Sequence, residues 1–302
     1  MTTAAKYQVV ELGAADRYRK QENDMKLHPF RWLVAGLLAA SVSWAQAALV
    51  FAVNEGVTYR VPNEEIRAKY AAIAADLSKI LKQTVTVEPI AAYPVLRKGL
   101  SEKAYDLAMV HPAHLSIEAI KYSGYKLVAV TKGFQDYRAN FLVKADSPLK
   151  SLADLKGSRL GAPDEDSITS WMTRATIRDA LGDASLVSYV YTRYQDAVPF
   201  FVENNLTQSG STAAGSVIKD WQAKGGKLLF KSKPVPIKHI IASPSMSLED
   251  VAKVRDYLLA LDTTEDGKKK LAATKWKGFA AYDQTELMAI GTWLGVDHGV
   301  MP

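Results

Sequence analysis

The stretch YRANFLVKADSPLKSLADLKGSRLGAPDEDSITSWM, residues 137–172, decides how the rest of this chain is organised. It opens with an apolar strand, Asn140 to Val143, closed by the turn cluster Asp146-Ser147-Pro148. Ser151 stands where it can cap a short helix through Leu155, which Gly157 ends. A second strand, Arg159 to Ala162, runs into a polar loop, Asp164 to Ser170. Apolar positions at helical spacing follow: Trp171, Ala175, Ile177, Ala180 and Leu181. A strand that passes through a hydroxyl-bearing loop into a helix start makes a seat for an anion. Unpaired backbone N–H groups and the positive helix end converge there, and Ser167, Thr169 and Ser170 add donors. The same residues also read as an ordinary helix cap, and spacing alone leaves both readings open.

Three carboxylates, Asp164, Glu165 and Asp166, lie within a turn of that seat. Like charges at roughly 4 Å repel by on the order of 4 kcal/mol at an effective dielectric of about 20. The seat therefore requires these groups to turn towards solvent or the helix dipole, or to accept a proton from the bound oxygen.

On the amino-terminal side, Leu49 to Val53 reads as a strand running into the loop Asn54 to Tyr59. Asn63 is placed to cap a helix, Glu64 to Leu81, with Ile66, Tyr70, Ile73, Leu77, Ile80 and Leu81 at helical spacing. Strands at Thr84 to Pro89, Asp106 to Val110 and Lys126 to Thr131 alternate with helices at Tyr93 to Leu100 and Leu115 to Lys121. On the carboxyl side come strands Ser188 to Thr192, Lys227 to Lys231 and Ile237 to Ala242. Helices run to Glu203, over Ser216 to Lys224, from a Ser247 cap over Val251 to Leu261, over Gly267 to Lys275 and over Gln284 to Leu294. This alternation predicts an α/β protein with a mostly parallel sheet and helices on both faces, and ligands at the carboxyl ends of its strands.

The chain has 302 residues, 48% apolar and 23% charged, with no cysteine. That suits a globular protein with a full core and excludes both a disulfide framework and thiolate metal sites. Residues 27–47, LHPFRWLVAGLLAASVSWAQA, read as a secretory signal: Lys26 and Arg31, an apolar run Trp32 to Val42, and an Ala45-Gln46-Ala47 cleavage pattern. The apolar run is shorter than the roughly 20 residues that span a bilayer. Met25 reads as an alternative start and Ala48 as the first mature residue, which predicts a periplasmic protein. Residues 1–47 carry six basic and four acidic side chains, so their removal lowers the net charge from +6 to +4. With no dense basic stripe, nucleic acid is not an expected partner.

The run VKADSPLKSLADLKGSRLG followed by DEDSITS resembles the periplasmic binding proteins of phosphate, phosphite and phosphonate ABC importers. The resemblance covers nearly all of residues 48–302. Asp106-Leu107-Ala108 and Pro112 match that family, whereas His111, His114 and Leu115 replace its Gly, Ser and Tyr. Gln195 stands at a histidine position, and Asn204 to Thr212 lacks the family's Asp, which removes a partner for a ligand amine. The resemblance implies a two-lobed type II periplasmic binding fold, each lobe a mixed sheet flanked by helices. Residues 48–138 and 238–302 would form one lobe and 139–237 the other, closing by a hinge over a ligand between them. The implied binding set is Ser167, Thr169 and Ser170 with Gln195, His111 and His114, walled by Tyr59, Tyr93 and Tyr194.

These features predict a monomeric solute-binding protein that captures a small oxyanion for an inner-membrane ABC permease. A periplasmic sensor for a membrane histidine kinase or chemoreceptor would share the fold and the pocket. An enzyme is disfavoured: the chain has no nucleophile elbow, H-E-x-x-H or phosphate-binding Gly-rich motif. His111 and His114, three apart, lack the third and fourth ligands of a metal site, so no metal or cofactor is expected.

Overall fold

The computed structural model describes residues 47–56 and 62–296; the signal segment, Met25 and Tyr59 lie outside them. The chain first lays down β1 (Leu49–Val53), α1 (Asn63–Leu81), β2 (Val85–Pro89), α2 (Tyr93–Ser101), β3 (Leu107–Val110), α3 (Ala113–Ser123) and β4 (Lys126–Thr131). It crosses to a second sheet for β5 (Asn140–Val143), β6 (Arg159–Ala162), α4 (Ile168–Leu181), β7 (Ser188–Tyr191), α5 (Val198–Glu203), β8 (Ser209–Thr212), α6 (Gly215–Ala223) and β9 (Lys227–Lys231). It then returns for β10 (His239–Ala242), α7 (Leu248–Ala260), α8 (Glu265–Thr274), β11 (Phe279–Ala280) and α9 (Gln284–Leu294).

The first sheet is six-stranded in the order β11-β4-β10-β3-β1-β2, and the second five-stranded in the order β7-β6-β8-β5-β9. Both are mixed rather than mostly parallel. In the first, β10 runs against β3 and β4; in the second, β5 runs against β8 and β9. The strands that follow the crossings, β5 and β10, are reversed because a chain entering a lobe from the other one meets its sheet from the opposite end; the short edge strand β11 also runs against β4.

Alternating residues of the short strands feed cores on opposite faces. Ala52, Ala108 and Val110 pack on one side of the first sheet, and Phe51, Val53, Leu107 and Met109 on the other. Strands buried on both faces read as unbroken apolar runs. In the second sheet Phe141 and Leu142 divide the two faces in the same way. The lobes also share a core, in which Ile168, Trp171 and Met172 of α4 join Leu115 of α3 and Leu287 and Leu294 of α9.

Several helix starts differ from expectation. Pro62, not Asn63, precedes α1, and no side chain caps it; proline's fixed φ suits the first turn without a capping hydroxyl. Helix α3 starts at Ala113, which makes His114 helical. Ser151 and Asp154 form a reciprocal capping box on a 3₁₀ turn over Leu152–Leu155, and Ser247 accepts the Asp250 amide at 3.0 Å.

Two antiparallel segments connect the lobes. Tyr137 and Val235 exchange backbone hydrogen bonds at 3.4 and 2.9 Å, flanked by Ile237 N to Phe134 O at 3.1 Å and Ser232 N to Ala139 O at 2.9 Å. We expect Phe141→Ala, in the fully buried interior strand β5, to lower stability by about 3–5 kcal/mol. Denaturant melts check the magnitude, and hydrogen exchange should speed up first in β8 and β9.

Candidate functional site

Loops at the carboxyl ends of parallel strands meet between the lobes. From the first sheet come Glu55 after β1, Tyr93 after β2 and His111 after β3. From the second come Ser167 to Thr169 after β6, Gln195 after β7 and Ala213 to Gly215 after β8. Phe134, Tyr137, Ile237 and Lys238 of the crossing segments complete the wall of a cavity of about 160 Å³. A larger hollow of about 860 Å³ shares Glu55 and Tyr93 with it and is lined by Asp164 to Asp166 and Tyr191 to Arg193 from the second lobe.

The first turn of α4 faces the small cavity. Ser167 is the N-cap, its hydroxyl oxygen accepting the Ser170 amide at 3.2 Å. The Ser167 hydroxyl donates to Ser170 Oγ, and the Ser170 hydroxyl donates to Pro163 O at 3.0 Å. Ser170 is therefore buried away from the cavity and Ser167 serves the cap, as the capping reading of this loop expects. The amides of Ile168 and Thr169 reach no acceptor among the described residues and are the donors of this helix end.

Gln195 is held by three contacts. Its carbonyl accepts the Ala213 amide at 2.6 Å and the Thr212 hydroxyl at 3.1 Å, which turns its amide nitrogen to donate to Tyr137 OH at 3.0 Å. Tyr137 OH lies 3.2 Å from Thr169 Oγ1. This series lets Thr169 present its own proton to the cavity.

The acidic loop is compensated from across the cleft. Asp166 accepts from Arg97 Nη1 and Nη2 at 3.2 and 3.3 Å and from Trp171 Nε1 at 3.2 Å, and it contacts His114 Nε2 at 3.2 Å. Burial alone would raise its pKa, but His114 and Arg97 hold this carboxyl well below the usual range. Asp164 Oδ1 accepts the Asp166 amide at 2.9 Å, and Glu165 is exposed. His114 is thus fully buried, stacked on Trp171 with ring centroids 4.7 Å apart, in an interlobe contact outside the cavity. Its place on the first turn of α3 turns it towards α4. Tyr194 does not line either hollow; its ring lies under the Arg193 guanidinium, 5.4 Å from centroid to carbon.

Lys238 and Tyr137 carry much of the cavity's polarity, yet no motif marks them. The only signal is position, since segments that cross between lobes must floor the crevice. Lys238 Nζ sits 4.2 Å from the centre of the Phe134 ring and pairs with no carboxylate among the described residues. Burial lowers its pKa, an effect the Glu55 charge opposes. Burial, reinforced by Lys238, also pushes His111 down to about 3.

This is a donor-rich cleft between two hinged sheets, and known families can be compared with it. The family described as ABC transporter, phosphonate, periplasmic substrate-binding protein matches residues 56–287. The chain belongs to that family. This phosphonate-type binding protein is therefore a substrate-binding component rather than an enzyme, and the family lives in the periplasm with a membrane permease as partner. Curated protein sequences give no match. Solved structures share the fold at low identity. XAC2383 from Xanthomonas citri bound to ATP has a TM-score of 0.68 at 14% identity, over 84% of this chain and 99% of that one. PhnD1 from Prochlorococcus marinus in complex with methylphosphonate has 0.61 at 15%, over 84% and 99%. The aliphatic sulphonate binding protein SsuA from Escherichia coli has 0.56 at 15%, over 83% and 91%.

Two outcomes are expected. Gly56 has φ +96°, and a Cβ there would stand 2.4 Å from His111 Cδ2; Gly56→Ala should displace the ring and weaken ligand binding at least tenfold, as titration calorimetry would read. His239, buried and donating from Nε2 to Pro236 O at 3.0 Å, is pushed down to about 4, as His111 is to about 3. An unfolded histidine titrates near 6.5, so on acidification the unfolded chain takes up protons that the folded chain refuses. Stability should fall from about pH 6.5 to about pH 4, by at most about 1.4 kcal/mol per pH unit for each histidine. Denaturant titrations across that range check it, and His239→Asn should flatten the slope.

Proposed function

We propose that this binding protein captures a small oxyanion of the phosphate, phosphite or phosphonate class between its lobes and delivers it to an inner-membrane ABC importer. One observation carries the reading. Two amides at the start of α4 and the cation Lys238, which among the described residues have no acceptor and no carboxylate partner respectively, face the same cavity of about 160 Å³. A helix amino terminus and a partly desolvated ammonium both favour negative charge, and among the described residues neither is in direct contact with a carboxylate. The cavity equals about five water volumes at roughly 30 Å³ each, which suits a tetrahedral oxyanion with a small substituent.

In this reading Thr169, Gln195, Tyr93 and His111 belong to the site, as the sequence suggests, and Tyr137, Lys238 and the Ile168 and Thr169 amides join them. His114 and Ser170 act instead through the lobe contact and the helix cap. Lobe limits at 48–138 with 238–302 and at 139–237 are supported by the paired crossings at 132–139 and 232–238. Closure about those crossings would bring the first lobe's His111 onto an anion seated on α4.

Thermal-shift measurements on the mature chain with phosphate, phosphite, methylphosphonate, sulfate and small organic acids test the proposal. A true ligand should add about 2.7 kcal/mol of stability at one hundred times its dissociation constant. Oxyanions without effect, alongside an uncharged solute that raises the melting temperature, would refute it. Thr169→Val should weaken binding by about 1–3 kcal/mol while leaving the unliganded melting temperature nearly unchanged.

A further inference from the structure

Most polar groups that line the small cavity donate; His111 and Glu55 are the exceptions. His111 Nδ1 lies 3.1 Å from the carbonyl oxygen of Ile237. A carbonyl can only accept, so Nδ1 carries the ring proton and Nε2 presents a lone pair. That edge of the ring runs past Gly56, where a Cβ would stand 3.0 Å from Nε2, and Nε2 meets no donor among the described residues. Glu55, the other acceptor on this wall, is engaged already: Tyr70 OH donates to it at 2.7 Å and Lys69 lies at 3.5 Å. Lys238, His114 and His239 act on the charge of the ring, and the carboxylate on this wall, Glu55, is turned to Tyr70 and Lys69.

We propose that His111 Nε2 is the acceptor that makes this cleft select a ligand oxygen still carrying its proton, so that it takes protonated phosphorus oxyanions and rejects sulfate and sulfonates. The proposal rests on the oxyanion reading above and sharpens it. Phosphate and alkylphosphonates lose their second proton only around neutral pH, in the range of the second pKa near 6 of phosphate monoesters, so on the mildly acidic side one oxygen still carries a proton. Sulfate and sulfonate oxygens are bare there. A bare oxygen facing Nε2 sets lone pair against lone pair and leaves a partly buried acceptor unsatisfied. A site built to hydrogen-bond a hydroxyl discriminates strongly against an analogue that lacks it. Burial and the Lys238 charge keep the ring neutral, which preserves the lone pair. Lys238 and the α4 amides meanwhile supply the attraction that any oxyanion would share. Charge therefore sets affinity for the class, and the lone pair sets the choice within it.

Methylphosphonate and methanesulfonate are near-isosteric probes, compared by calorimetry on the mature chain at about pH 6.5, where a large share of the phosphonate is protonated. The wild-type chain should favour methylphosphonate by about thirtyfold or more. His111→Phe should bring the two within about threefold, mainly by weakening methylphosphonate, whereas His111→Gln, which keeps an acceptor oxygen, should retain most of the preference. Wild-type affinities within threefold of each other overturn the proposal but leave the oxyanion reading intact, as does a full preference surviving in His111→Phe. Binding of neither probe, nor of inorganic phosphate, refutes the oxyanion reading itself. A preference for 2-aminoethylphosphonate over methylphosphonate that vanishes in His111→Phe would assign the donated proton to an ammonium and also overturn the proposal. Should His111→Phe fail to fold, ¹⁵N spectra of the wild-type imidazole decide: Nε2 must stay unprotonated and shift on binding methylphosphonate, and a protonated Nε2 excludes the role.

Discussion

The pairing of Tyr137 with Val235 is the constraint on which the rest depends. Two extended segments joined by backbone hydrogen bonds carry the chain out of one sheet and back again. Because each returns into its lobe as a reversed strand, the parallel strands of both sheets end towards the same gap. Loops that would be unremarkable on one sheet become opposite walls of a cleft. The crossings themselves form its floor, which is why Tyr137 and Lys238 reach the cavity although neither belongs to a recognisable motif.

Charge is sorted within this gap, and the acidic loop finds its partners outside the small cavity. Asp166 is directed onto Arg97 and His114 of the opposite lobe, and Asp164 onto an amide of its own loop. Two amides, the Thr169 hydroxyl and Lys238 offer donors at the small cavity, and the carboxylate on its wall, Glu55, is engaged by Tyr70 and Lys69. The same contacts tie α4 to the first lobe through Trp171 stacked on His114. The cavity wall and the lobe interface are consequently built from neighbouring residues of one loop.

The sequence by itself was enough for the alternation of strands and helices, since apolar runs such as Leu107 to Val110 and the Ser151 and Ser247 caps are local signals that tertiary contacts reinforce. It was also enough for the family, and for placing Thr169, Gln195, His111 and Tyr93 in loops that line one cavity, because strand ends in an α/β protein are legible from spacing. The tertiary structure decided which hydroxyls of residues 167–170 face the cavity, because the direction of a side chain on the first helical turn depends on the capping bonds from Ser167 and Ser170 to each other and to Pro163. It likewise decided that His114 belongs to a lobe contact and Lys238 to the site. Those assignments rest on residues 52 positions apart in one case and on a chain crossing in the other, and no local pattern encodes a distance of that kind.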